Sequence, residues 1–128
     1  MNNELLLELK RDIFNRAEIF IGNMGEFAPF GSELINNKIK PVVVYDDSEE
    51  IIKGEKLINI LKESLSKNLK ERKSQACAIA YDVYVSKVNN DGESVKFNAL
   101  CLIISNDGEN WEENYYPYKV IEKECVWG

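Results

Sequence analysis

The chain is 128 residues long, carries a net charge of −6 and contains no histidine. That length suits one domain, residues 1–128, able to bury about two-thirds of the surface its unfolded chain exposes, with no need of a disulfide or metal. The acidic balance disfavours non-specific binding to nucleic acid or an anionic membrane, and the missing imidazole excludes Ser-His and Cys-His catalysis, His-ligated zinc or haem, and histidine pH switching.

Leu5, Leu6, Leu9, Ile13, Ala17, Phe20, Ile21 and Met24 recur at three and four, which predicts an amphipathic helix over 3–24. Asn2 or Asn3 suits its cap and Gly25 its stop. Glu8 interrupts the first apolar run and no basic stretch precedes it, so the start does not read as a signal peptide. Residues 27–45 read as a β-hairpin turning at Asn36-Asn37-Lys38. Pro29 makes its first strand an edge or a bulge, and Val42 to Val44 suggest burial on both faces of the second.

Asp46-Asp47-Ser48-Glu49-Glu50 opens a second helix, with Asp47 or Ser48 as cap. Leu57, Ile58, Leu61, Leu65 and Leu69 form its apolar stripe, and lysines give it a positive outer face. Three strands follow, over 75–88, 93–105 and 110–122, with turns at Asn89-Asn90-Asp91-Gly92 and Asn106-Asp107-Gly108. Pro117 makes the third an edge or irregular. Lys123 to Gly128 has no assignment.

The order α-β-β-α-β-β-β predicts an α+β fold: a five-stranded antiparallel sheet with two helices on one face. It resembles the element order of profilin-like and roadblock-like folds. The apolar runs are too short to span a bilayer. Cys77, Cys101 and Cys125 are odd in number and lack a C-x-x-C spacing, as for reduced thiols in a cytoplasmic protein.

Four strings carry a closer resemblance: Gly25-Glu26-Phe27-Ala28-Pro29-Phe30-Gly31, Pro41-Val42-Val43-Val44-Tyr45-Asp46, Ala78-Ile79-Ala80-Tyr81-Asp82-Val83 and Tyr116-Pro117-Tyr118-Lys119. In this order and spacing the chain resembles a family of small uncharacterised bacterial proteins with a G-E-F-x-P-F-G motif, over roughly residues 10–120. The sequence departs from it at Ala28, where an aromatic is common. The resemblance implies one bacterial domain and no particular activity.

Two groups of residues are candidates for a site. In the first, Glu26, Phe27, Pro29, Phe30, Tyr81, Asp82 and Tyr118 line an apolar pocket with one acid for orientation. The plainer reading makes the aromatics core plugs. Asp82 shares a strand face with Ala76, Ala78 and Ala80, which leaves room above the sheet for a helix or a ligand. If partly buried, it needs a partner such as Tyr118, Lys119 or a backbone N–H. In the second, Asp107, Glu109, Trp111, Glu112 and Glu113 form an acidic aromatic edge suited to a basic partner. The plainer reading is a solvated turn with Trp111 packed on the sheet. Asp46 to Glu50 lacks the spacing of a calcium loop and reads as helix-capping acids. Phosphate-loop, dinucleotide and nucleophile-elbow motifs are missing, and no metal or cofactor is implied.

The sequence therefore points to a non-enzymatic cytoplasmic protein-interaction domain, in its specific form an immunity-type inhibitor of a basic toxin. The alternative is a small-ligand sensor with a pocket near Phe27 and Asp82. Open sheet edges would also admit a homodimer.

Overall fold

The computed structural model describes residues 3–42 and 54–128. Helix α1 spans Asn3–Met24 and α2 Gly54–Lys70; the strands are β1 (Phe30–Ile35), β2 (Lys38–Val42), β3 (Ala76–Val88), β4 (Ser94–Ser105), β5 (Glu112–Ile121) and β6 (Glu124–Trp127). They form one antiparallel sheet in the order β2-β1-β3-β4-β5-β6. The capping acids expected at Asp46 to Glu50, and Val43 to Tyr45 of the expected strand, lie outside the described residues.

The fold is α+β as expected, with two corrections. Among the described residues the sheet has six strands, because the tail folds back as β6 through a turn whose two residues, Glu122 and Lys123, have φ of 51° and 67°. Two consecutive left-handed residues fit the right-handed twist of a hairpin. The β1–β2 turn is built alike on Asn36 (φ 52°) and Asn37 (φ 62°). Trp127 then packs edge-on to Phe14, 5.0 Å between ring centres, and its Nε1 donates to Glu18 at 2.8 Å.

The second correction concerns the helices, which lie on opposite faces of the sheet. Leu9, Ile13, Ala17 and Ile21 of α1 pack with Phe30, Leu34, Ala76, Ala78, Ala80, Leu100, Leu102 and Ile104. Leu61, Leu65 and Leu69 of α2 pack with Cys77, Ile79, Cys101 and Ile103. Successive strand residues point to opposite faces, so both faces of β3 and β4 are apolar and both need a cover. The room left by the three alanines of β3 is taken by α1.

Polar groups tie the helices down. Arg16 bonds Gly31 O and the buried Ser32 Oγ, pairs with Asp12 at 3.3 Å and lies 4.7 Å over the Phe30 ring. On the other face, Asn68 of α2 donates to the buried Glu33 at 2.6 Å.

Pro29 lies just before β1, and β1 pairs with β3 only from Phe30↔Ala80 to Leu34↔Ala76. β5 is an edge from Glu112 to Pro117 and is covered beyond that by β6, so the residue without an N–H falls where pairing begins.

Candidate groove at the edge of β3

α1 stops at Gly25, which has φ +77° and donates its N–H to Ile21 O at 2.7 Å. A left-handed residue at this point is an ordinary helix stop and suits glycine. The chain then runs Glu26 to Pro29 as an irregular segment before entering β1. This segment, the first turns of α2 and the middle of β3 enclose an open groove of about 870 Å³. Its walls are Met24 and Glu26 to Pro29 on one side, and Gly54, Glu55, Leu57, Ile58 and Asn59 on the other. Tyr81, Asp82, Val83 and Tyr84 form the floor, with Asn98 of β4 beside them.

Four consecutive strand residues line one space. A groove over one face of a sheet would meet only every second residue. This one wraps the edge of β3, past the point where β1 ends.

The structure brings together Glu26, Phe27, Pro29, Tyr81 and Asp82 of the first candidate group. It places Phe30 and Tyr118 beneath them. Phe30 is buried against Phe20 and Phe27, with ring centres 5.4 Å and 5.7 Å away. Tyr118 is buried, and its hydroxyl donates to Asp82 Oδ1 at 2.8 Å. Those two residues therefore support the groove from behind and do not line it.

Burial raises the pKa of Asp82 above the ordinary carboxylate value. The Tyr118 hydroxyl and the Phe27 backbone N–H oppose that rise by bonding the charged form, and nearby Glu26 adds to it. Tyr118 is itself raised, by burial first and then by donating to Asp82. Tyr81 is raised chiefly by burial. Among the described residues, Glu26, Glu55 and Asp82 are the charged groups lining the groove.

The second candidate group is differently arranged. Asp107 Oδ1 accepts from the N–H groups of Glu109 (2.8 Å) and Asn110 (2.7 Å), and Oδ2 from Asn110 Nδ2 at 2.7 Å. These bonds hold its carboxyl below the ordinary range. Trp111 packs with the α2-side core, 5.3 Å from Lys62 Nζ. Glu109 reaches Lys70 at 3.9 Å, and the buried Gly108 sits against the backbone of Ser66. Much of this acidic turn is thus docked on the basic face of the chain's own helix. Glu112 is opposite Ile104 and Glu113 opposite Ile103, so these two acids lie on opposite faces of the sheet. Glu113 accepts from the Tyr115 hydroxyl.

Met24, Leu57, Ile58, Asn59, Val83, Tyr84 and Asn98 were absent from the sequence-derived group. One signal for them was available: a long β3 beside a β1 cut short at Pro29 leaves an overhang, and residues of both parities line it. All three cysteines are free, and burial pushes the Cys77 thiol up to about 12. Among the described residues there is no cluster of three or more His, Cys, Asp or Glu placed to hold a metal. No helix among them is long and apolar enough to cross a membrane. Comparison with protein-family models, curated proteins and solved structures finds no match.

Proposed function

We propose that the protein is a non-enzymatic protein-interaction domain of the bacterial cytoplasm, and that it binds its partner in the groove at the edge of β3. One observation carries the reading: four successive residues of β3 line an open apolar groove in which the charged groups, among the described residues, are carboxylates. An open apolar surface rimmed by polar groups marks an interaction site. Acids at its rim favour a partner with a basic surface, as an immunity-type inhibitor would meet on a basic toxin. The G-E-F-x-P-F-G resemblance belongs to the same proposal, because Glu26, Phe27, Ala28 and Pro29 of that motif line the groove. Asp82 acts as an orienting group in this reading, with one oxygen already taken by Tyr118.

A photo-crosslinking residue at Tyr84, and separately at Glu112, tests it in the source cells. The expected result is one discrete protein adduct from position 84 that weakens as salt rises. Adducts from position 112 alone would move the surface to the acidic hairpin. The absence of protein adducts from either, with a small molecule co-purifying, would favour the small-ligand reading.

A further inference from the structure

β3 runs to Val88, but β1 leaves it at Ala80. Beyond that point β4 pairs with one side of β3, and among the described residues no strand pairs with the other. Pro29 sits where β1 would continue opposite Tyr81, and a proline has no N–H for a ladder. Backbone groups along a strand alternate in direction, so every second residue of Tyr81–Val88 directs its N–H and C=O out of the sheet. Such an edge is a template for another strand.

The two faces beside the edge differ in chemistry. Asp82 meets Phe27 and Tyr118 on the α1 side, and Glu26 lines the same groove. Leu57 and Ile58 of α2 stand on the other side, where Tyr81 and Val83 join the α2-side core. Further along the strand, Tyr84 and Val88 are each 68% exposed.

We propose that an extended segment of the partner adds to Tyr81–Val88 as a further strand, with basic side chains at alternate positions facing Glu26 and Asp82 and apolar side chains between them resting on Leu57, Ile58 and Val83. This rests on the groove being the binding site, and it names the chemistry of the occupant. Main-chain bonds to the edge supply affinity for any extended chain, while the alternation of charge and apolar surface selects the sequence. The segment is about five or six residues long, the common length of a strand.

The test uses the full chain, labelled with nitrogen-15, and a synthetic peptide of alternating lysine and valine. Amide hydrogen exchange is followed by NMR with and without the peptide. Strand addition slows exchange about tenfold or more at every second residue between Tyr81 and Val88. The same peptide with glutamate for lysine does not bind. Glu26→Gln, an exposed position, weakens binding about threefold and keeps the alternating pattern. Peptide-induced shifts around Leu57 and Val83 without alternating protection would overturn strand addition and leave the groove as the binding site. No shifts there with either peptide would overturn both readings. Concentration-dependent protection in the peptide-free protein, with a dimer in sedimentation, would assign the edge to a second copy of this chain and overturn the proposal.

Discussion

The Tyr118 hydroxyl donates to Asp82 Oδ1 at 2.8 Å, reaching from β5 across β4 to β3. The bond fixes the carboxylate of Asp82 on the floor of the groove and fills one of its acceptor sites from behind. It also opposes the effect of burial, which favours the neutral carboxyl. Tyr118→Phe removes that opposition, so the Asp82 pKa rises further. A carboxyl-carbon NMR titration of the two proteins checks this, and an unchanged or lower value contradicts it.

The sign of the pH effect follows from linkage. The folded protein holds the Asp82 proton more tightly than the unfolded chain, whose value is near 3.8. The stabilising contribution of this group is therefore present in full below that value and is lost as pH rises through the higher folded value. Asp82→Asn flattens this part of the stability profile. Denaturant melts at a series of pH values measure it.

Gly108 has φ +80°, and a Cβ there would stand 2.9 Å from Ser66 O and 3.2 Å from its Cα. Both obstacles are helix backbone, which cannot turn aside as a side chain would. Gly108→Ala is expected to cost about 2 kcal/mol or more, from left-handed strain and lost docking of the turn on α2. Thermal melting reads it directly. Loss of the cation–π contact between Lys62 and Trp111, seen as a change in tryptophan fluorescence, would show that the turn had lifted.

Leu65→Ala and Ile13→Ala each remove a fully packed side chain, and each is expected to cost about 2–5 kcal/mol. The two residues belong to separate cores on opposite sides of the sheet. Their effects should add within about 0.5 kcal/mol in a double-mutant cycle. A larger coupling would mean that the two helices share one core.

The thiols provide a further check. Cys125 is half-buried on β6, whereas Cys77 and Cys101 are sealed between the sheet and α2. The Cys77 thiol is pushed up to about 12 by burial and by Glu33. A thiol reagent at neutral pH should label Cys125 first and reach the other two only as the protein opens. Peptide mapping of the adducts resolves the order.

Much of the fold was legible because periodicity is a property of the chain itself. The four-residue spacing of Leu9, Ile13, Ala17 and Ile21 and the stop at Gly25 place α1 correctly. Glycine and asparagine turns likewise bound the strands of the meander. The helix arrangement was harder, since two helices and a sheet fit either one face or two. The deciding signal lies in β3 and β4: alanines alternate with Cys77 and Ile79, and leucines with Cys101 and Ile103, so neither face can be left to water. β6 was missed because its four residues carry little periodicity and its turn uses Glu122 and Lys123, which are not usual left-handed residues. Within the candidate site, Phe27 and Asp82 are near each other only because β1 pairs with β3, which local pattern does not encode. The same long-range packing turned the acidic hairpin tip onto α2.

β3 bonds to β1 on one side and β4 on the other, which sets an order of assembly. From Ala76 onward each strand pairs with the next one along the chain, so that half can form by short-range closure. β1 has to wait for a partner that lies beyond α2, and α1 has no complete surface to lie on until β3 and β4 exist. During synthesis, at about 5–20 residues per second, the first half leaves the ribosome seconds before the strands that receive it. The later strands are therefore expected to nucleate the fold, with α1 and β1 docking onto them afterwards.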